Sequence, residues 1–175
     1  MNIVLIGYRG SGKSTVGRML AARAGKRFVD SDDLVEKQVG ISISDIVRSM
    51  GWEHFRVLEE RAIEEICRED HLIIAPGGGA VLDPANVRSL RKTGFIIWLR
   101  AEGEALRRRM IQDPRTTASR PTLTGKGTLE EFKEVLDIRN AYYAQAADAQ
   151  VDTSNLSLEE VVEKILWIVR KKKGA

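Results

Sequence analysis

Short apolar runs alternate along this chain with longer segments in which apolar residues recur every three or four positions. The apolar runs cover residues 3–6, 27–30, 72–75, 95–99 and 149–152. Helical patterns begin near residues 13, 32, 44, 52, 84, 102, 128 and 158. Strands that alternate with helices are typical of βαβ units around a parallel sheet whose two faces are both covered. The pattern therefore predicts an α/β fold with five parallel strands flanked by helices.

Local signals mark several of the helix ends. Capping boxes at residues 128–131 and 157–160 place a hydroxyl and a Glu where each can satisfy an unpaired amide at a helix N-terminus. Gly25, Gly40 and Gly51 stand where helices are expected to stop. These signals predict separate helices on the two sides of Gly51.

The stretch at residues 113–127 interrupts the alternation of strands and helices. It contains Pro114, Pro121, Gly125 and Gly127 and has almost no apolar periodicity. Loops of this length inside a compact domain are usually functional lids or disordered insertions. We predict a mobile lid over residues 113–127.

The segment after the first strand has the pattern of a phosphate-binding loop. Residues 7–14 read GYRGSGKS and are followed by an amphipathic helical run, which is the strand-loop-helix context that this motif requires. Glycines let backbone amides face a polyphosphate, Lys13 reaches the β- and γ-phosphates, and the Ser14 hydroxyl ligates Mg²⁺. The predicted nucleotide contacts here are Gly10, Ser11, Gly12, Lys13, Ser14 and Thr15.

Size and composition narrow the protein classes that share this loop. The 175 residues, 43% hydrophobic and 30% charged, fit one globular domain. The small size, the absence of an N-K-x-D guanine motif and the arginines of the predicted lid favour a small-molecule kinase over a GTPase or a motor. A net charge of +3 does not indicate nucleic-acid binding, and the basic run at residues 171–173 is interpreted as a helix end. No apolar run is long enough to span a membrane, no signal peptide precedes the first strand, and Cys67 is the single cysteine, so we expect a cytoplasmic protein.

Two carboxylates follow the second strand. The carboxyl ends of parallel strands face the ligand crevice, so Asp30 is placed to hold Mg²⁺ and Asp32 to meet an acceptor hydroxyl. The alternative is that either residue only caps the next helix. The third strand ends without the acidic residue that is usual for a Walker B strand, so more of the metal binding is assigned to Asp30.

Glycines and arginines indicate an acceptor site. Three consecutive glycines at residues 77–79 follow the third strand, either for a sharp turn or for close approach of the backbone to a ligand, and we favour the latter. Arg56, Arg120 and Arg139 are each ordinary surface residues when considered singly, but together they suggest an anion site. Because guanidinium groups bind carboxylates in a bidentate manner, the acceptor is expected to carry a carboxylate.

These motifs, taken in order, resemble the shikimate kinase family over nearly the whole chain. The resemblance rests on residues 7–14, 30–32, 55–56, 77–81 and 120–121 and on Arg139. It implies a P-loop, nucleoside-monophosphate-kinase-like fold with strand order 2-3-1-4-5. It also implies transfer of the ATP γ-phosphate to the 3-hydroxyl of shikimate in aromatic amino-acid biosynthesis, with Mg²⁺ as cofactor.

The resemblance also assigns roles to individual residues. Asp32, Lys13 and Arg120 are the predicted catalytic residues, and Ser14 and Asp30 are the predicted metal ligands. Asp32, Arg56, Gly78, Gly79 and Arg139 are expected to bind shikimate. Adenine is expected between Arg109 or Arg115 on one face and residues 153–155 on the other, with Arg120 and Asn155 as further ATP contacts.

Three hypotheses remain open at this stage. Another kinase of the same fold, acting on gluconate or a nucleoside monophosphate, is the nearest alternative. A regulatory module that binds ATP without transferring phosphate is the alternative from a different class. Nothing in the sequence requires more than a monomer.

Overall fold

A five-stranded sheet forms the centre of the molecule, which is known here as a computed structural model that describes residues 1–113 and 132–174. The strands are β1 (Asn2–Ile6), β2 (Arg27–Asp30), β3 (Leu72–Ala75), β4 (Gly94–Arg100) and β5 (Ala149–Asp152). They are parallel and lie in the order β2-β3-β1-β4-β5. The predicted fold class and strand order are confirmed, and β1 and β4 extend slightly beyond the predicted runs.

Helices cover both faces of the sheet. They are α1 (Lys13–Ala24), α2 (Ser31–Val39), α3 (Ile43–Ile66), α4 (Pro84–Thr93), α5 (Gly103–Gln112), α6 (Phe132–Ala146) and α7 (Leu158–Lys173). A short 3₁₀ helix, Ala80–Leu82, lies between β3 and α4. One apolar core contains side chains of α3, α5 and α6, and the core on the opposite face contains side chains of α1 and α7. Because both faces of the sheet centre are buried, the three inner strands β3, β1 and β4 consist of nearly continuous apolar runs rather than alternating ones.

The prediction of separate helices on the two sides of Gly51 is confirmed. The span called α3 consists of two helices that meet at a kink, where the Gly51 backbone adopts the non-helical angles φ 83° and ψ 168°. Ile46 before the kink and Phe55 after it are buried in the same small apolar cluster. Shared packing therefore holds the two halves together in spite of the left-handed residue between them.

The other helix-end predictions have mixed outcomes. Ser157 and Glu160 form the predicted capping box at the start of α7, and Gly25 and Gly40 adopt left-handed conformations just after α1 and α2. The capping box at residues 128–131 lies outside the described residues. So does the predicted lid, apart from Asp113.

Within residues 1–113 and 132–174, no helix combines the length and the apolar character that a membrane span requires.

Candidate active site

A cleft of about 750 Å³ opens where β1, β2 and β3 end, as the parallel-sheet topology predicts. It brings together side chains from α1, α2, α3 and α6 with the loops that follow β1 and β3. The predicted site residues that line it are Gly10, Gly12, Lys13, Ser14, Thr15, Asp30, Asp32, Arg56, Gly78, Gly79 and Arg139. Ser11 is buried behind them with 2% of its surface exposed.

The phosphate-binding loop after β1 turns sharply into α1. Gly10 and Gly12 have positive φ angles of 77° and 93°, which residues with side chains rarely adopt. A Cβ on Gly7 would lie 2.6 Å from the carbonyl oxygen of Leu99, so this position also excludes a side chain. The Lys13 Nζ donates to the carbonyls of Gly7 at 2.7 Å and Tyr8 at 3.2 Å, which holds its ammonium group over the loop.

Asp30 joins the phosphate-binding loop to α2. Its Oδ2 accepts a hydrogen bond from the Ser14 hydroxyl at 2.8 Å, and its Oδ1 accepts one from the Asp32 amide at 3.1 Å. Asp30 is therefore the N-cap of α2, as the alternative interpretation held, while it also faces the first turn of α1. Within the described residues no group of three or more His, Cys, Asp or Glu side chains forms a metal site. A hydroxyl beside a carboxylate nevertheless fits a hard cation that takes its remaining oxygen ligands from phosphates.

The three glycines after β3, residues 77–79, are called the glycine turn below. A Cβ on Gly77 would lie 2.6 Å from Asp32 Oδ1, and one on Gly79 would lie 2.5 Å from Arg56 Nη2. A Cβ on Gly78 would lie 3.6 Å from Arg139 Nη1, within ordinary contact distance. Each glycine therefore adjoins a different predicted acceptor-binding side chain. At Gly77 and Gly79 that side chain occupies the space that a Cβ would need.

Arg56 is held in the wall of the cleft by a buried carboxylate. Its Nη1 donates to Glu59 Oε2 at 2.5 Å, and its guanidinium lies 5.3 Å from the ring centres of both Trp52 and Phe55. Glu59 is 1% exposed, and its Oε1 has no hydrogen-bond partner within the described structure. Burial raises the pKa of Glu59, although the charge of Arg56 acts in the opposite direction. Arg56 is thus oriented before any ligand arrives.

Arg139 lies on the other side of the glycine turn. It is 5% exposed although it is charged, and its guanidinium lies 5.7 Å from the ring centre of Tyr8. One helical turn later, the Tyr143 hydroxyl donates to the Gly78 carbonyl at 2.6 Å. A buried arginine that lines a cleft is expected to bind an anion there, because isolated buried charges are costly.

The predicted adenine-binding residues are brought together in part. Arg109 donates to the Thr153 hydroxyl at 3.1 Å and to its carbonyl at 2.6 Å, so the end of α5 contacts the loop after β5. Asn155 lies in that loop, is exposed and does not line the cleft. Arg115 and Arg120 lie outside the described residues.

Sequence reasoning missed Glu59, Ser31 and Tyr143. Glu59 had a detectable signal, since it follows Phe55 by four residues and falls on the buried face of α3 among apolar residues. Ser31 is fully buried, and its Oγ accepts a hydrogen bond from the Gly77 amide at 2.9 Å. For Ser31 and Tyr143 no sequence signal exists, because their partners lie 46 and 65 residues away.

The chain is similar over most of its length to known kinases. A family model described as shikimate kinase matches residues 9–170. The shikimate kinase of Syntrophus aciditrophicus is 42% identical over 173 residues, which cover 94% of this chain and 89% of that protein. The shikimate kinase of Symbiobacterium thermophilum is 43% identical over 95% of this chain and 94% of that protein.

A solved structure leads to the same result. Shikimate kinase from Acinetobacter baumannii, in complex with shikimate, superposes with a TM-score of 0.90 at 31% identity and covers 98% of this chain and 94% of that one. Both the sequence and the fold therefore match over nearly complete lengths, and the chain belongs to the shikimate kinase family.

Proposed function

We propose that this protein transfers the γ-phosphate of ATP to the 3-hydroxyl of shikimate, giving shikimate 3-phosphate and ADP. The observation that carries the proposal is the arrangement around the glycine turn. Asp32, Arg56 and Arg139 come from three different helices and line one cleft with the phosphate-binding loop. A carboxylate-binding pair of arginines beside a potential hydroxyl partner suits a small hydroxy acid better than it suits a nucleoside monophosphate.

Lys13 and the loop amides bind and orient the phosphates of ATP in this proposal. The Lys13 ammonium already lies against two loop carbonyls, so little reorganisation is needed to meet the β- and γ-phosphates. Preorganised positive charge of this kind stabilises the transferring phosphoryl group, which is the main contribution of the protein to such reactions.

Asp32 orients the acceptor hydroxyl and takes its proton. It stands in the first turn of α2 and faces Gly77, directly beside the space where an acceptor would rest. Phosphoryl transfer proceeds through a loose transition state, so a carboxylate that accepts the proton late in the reaction suffices.

Ser14 and Asp30 would hold Mg²⁺. Their oxygens lie 2.8 Å apart at the start of α1, and oxygen donors are the ligands that this ion prefers. When bound, the ion supplies positive charge that neutralises the phosphate oxygens.

Arg56 and Arg139 grip the acceptor carboxylate, and Gly78 and Gly79 provide the backbone surface against which its ring rests. Orientation of Arg56 by Glu59 supports this role, because a guanidinium whose direction is fixed loses less entropy on binding. The apolar sides of Trp52 and Phe55 narrow the pocket around the same arginine.

The adenine base is assigned to the region of Arg109 and the loop after β5. Arg109 contacts Thr153 and lines the cleft, which favours it over Arg115 as the residue that stacks on the base. Arg120 is assigned to the transferring phosphate and Asn155 to the nucleotide, on the resemblance to the family alone.

Other properties are proposed with the activity. The 175 residues are taken as one kinase domain that acts as a cytoplasmic monomer and binds no nucleic acid or membrane. Gel filtration at assay concentrations tests the monomer.

The activity is tested by coupled ADP release with Mg-ATP and shikimate, in parallel with gluconate, AMP and no acceptor. Turnover with shikimate alone is the expected result. ADP release with another acceptor, or with none, would leave the nucleotide site intact and overturn the acceptor assignment.

Two substitutions test the residue roles. Asp32→Asn is expected to keep ATP binding and lose turnover, and near-normal activity would remove Asp32 from the reaction. Arg139→Ala removes a charge-assisted contact worth about 1.5–3 kcal/mol, so the shikimate Kd should rise at least about tenfold while the ATP Kd stays the same. An unchanged shikimate Kd would place Arg139 outside the acid site.

A further inference from the structure

Two buried hydroxyl groups hold the glycine turn from opposite sides. The Ser31 Oγ accepts a hydrogen bond from the Gly77 amide at 2.9 Å, and the Tyr143 hydroxyl donates to the Gly78 carbonyl at 2.6 Å. Ser31 is 0% exposed and Tyr143 is 1% exposed. One amide and one carbonyl of adjacent glycines are thus satisfied by side chains rather than by regular secondary structure, which a buried backbone requires.

Each of these hydroxyls lies on a helix that also carries a proposed acceptor-binding residue. Ser31 directly precedes Asp32 at the start of α2. Tyr143 follows Arg139 by one turn of α6, so both side chains lie on the same face of that helix. A displacement of the glycine turn relative to either helix would therefore change the distance between the turn and the group that binds the acceptor.

The spacing leaves little tolerance at Gly77, whereas the distances at Gly78 are those of ordinary contact. A Cβ on Gly77 would lie 2.6 Å from Asp32 Oδ1, and one on Gly78 would lie 3.6 Å from Arg139 Nη1 and 3.7 Å from the Tyr143 hydroxyl. Glycine itself supplies no side chain that could fix the turn by packing. The two hydroxyl contacts tie this backbone to α2 and α6.

The protonated state of the Tyr143 hydroxyl allows it to donate a hydrogen bond to the Gly78 carbonyl at all times. Burial raises its pKa, against the lowering effect of nearby Arg139, so the phenol stays protonated. Its ring also packs against Trp98 at a centroid distance of 5.9 Å, which fixes the direction of the hydroxyl.

We propose that Ser31 and Tyr143 are positioning residues that hold the glycine turn in register with Asp32 and Arg139, and so set the affinity of the site for its acceptor. This inference rests on the proposed function. Neither residue touches the substrate in this scheme, since both act through the backbone of Gly77 and Gly78.

A purely structural role for the two hydroxyls predicts a different result. If they only stabilise the fold, their removal lowers the unfolding temperature and leaves the kinetic constants of the surviving folded enzyme unchanged. If the hydroxyls hold the glycine turn in place relative to Asp32 and Arg139, the KM and Kd for shikimate change and the KM for ATP does not. The phosphate-binding loop is connected to Asp30 and β1 instead of to these hydroxyls.

The test compares Tyr143→Phe and Ser31→Ala with two matched controls. Tyr143→Phe keeps the ring and removes one hydroxyl, whereas Tyr142→Phe removes the same group from a neighbouring residue that is 42% exposed. Ser157→Ala matches Ser31→Ala, since it removes a hydroxyl that caps α7 far from the glycine turn. KM for shikimate and for ATP, kcat, and shikimate Kd by calorimetry are measured for each folded variant.

We expect Tyr143→Phe and Ser31→Ala each to raise the shikimate KM and Kd by about tenfold, the effect of one buried hydrogen bond lost, with the ATP KM within about twofold of the wild type. Both controls should match the wild type in all kinetic constants. Shikimate constants within about twofold of the wild type in Tyr143→Phe, or equal rises in the shikimate and ATP KM values, would overturn the inference. Tyr143→Phe decides the question alone if Ser31→Ala does not fold.

The wild-type enzyme separates this inference from the function on which it rests. Wild-type turnover of shikimate with unchanged constants in both variants would refute the positioning role alone. Failure of the wild type to turn over shikimate would refute the proposed function, and with it the positioning role that rests on that function.

Discussion

Gly79 provides the space that Arg56 occupies, and its replacement by Ala should damage acceptor binding without damaging the fold. A Cβ at this position would lie 2.5 Å from Arg56 Nη2 and 2.9 Å from Nη1. The backbone there has φ −100° and ψ −3°, which residues with side chains adopt in turns, so Ala introduces no backbone strain. The effect of the substitution is therefore confined to the displaced guanidinium.

The size of the effect follows from the geometry. Ordinary contact with a Cβ begins near 3.4 Å, so the guanidinium must move by roughly 1 Å. That movement breaks either the bond to Glu59 or the alignment with the acceptor carboxylate. Loss of a charge-assisted contact costs about 1.5–3 kcal/mol, which corresponds to a rise of roughly tenfold to a hundredfold in the shikimate Kd.

Calorimetric titration with shikimate, together with a urea unfolding curve, measures both consequences. The unfolding curve distinguishes the two outcomes, because loss of the bond to buried Glu59 lowers the free energy of unfolding, whereas a change in the alignment with the acceptor carboxylate alone leaves it unchanged. Gly103→Ala is the matched control, since a Cβ there meets its nearest neighbour at 3.7 Å and Gly103 does not line the cleft. A folded Gly79→Ala protein with wild-type shikimate affinity would show that Arg56 does not grip the acceptor in the orientation described.

Three further substitutions separate function from stability. Burial raises the pKa of Glu59 above its ordinary value of 4.5, so the carboxyl group binds its proton more tightly in the folded protein than in the unfolded chain. The stability that this proton contributes is therefore lost as the pH rises. Urea unfolding should therefore show the free energy of Glu59→Gln rising relative to the wild type from about pH 4.5 towards neutral, and a constant or falling difference would contradict the pKa direction. Gly17→Ala places a Cβ 2.3 Å from the Phe28 ring and should lower stability by about 1–3 kcal/mol, whereas an unchanged urea midpoint would mean that α1 shifts freely. Ser157→Ala should cost about 1 kcal/mol through loss of the N-cap, and any change in the shikimate KM would count against a purely local role.

The centre of the sheet was predictable because its inner strands are buried on both faces. Runs such as those of β1 and β3 contain little besides apolar residues, and in both strands every residue is buried. The break at Gly51 was predictable as well, because glycine is a local stop signal and its backbone here is not helical. The sequence did not show that Ile46 and Phe55, on the two sides of the kink, pack into one apolar cluster. That contact exists only in the folded chain.

The same distinction applies to the candidate site. Lys13 and Ser14 belong to a contiguous motif, so their surroundings could be inferred from the adjacent residues in the sequence. Tyr143 acquires its partner only when α6 folds against the glycine turn, and nothing within several residues of it signals that contact. Glu59 is intermediate, because its position on an apolar helix face was visible while its partner and its burial were not.

The position of β1 at the centre of the sheet has a consequence for synthesis. β1 is synthesised before the other four strands, yet its two neighbours are β3 and β4, with Ile3 opposite Ile73 and Asn2 opposite Gly94. A nascent chain that ends before β4 leaves one edge of β1 unpaired, and pairings over such sequence distances form slowly. The nucleotide-binding loop therefore precedes β3 and β4 in the sequence but is fully supported only after Arg100 has been made, so nascent chains that end before β4 are expected to depend on chaperones and to bind no ATP.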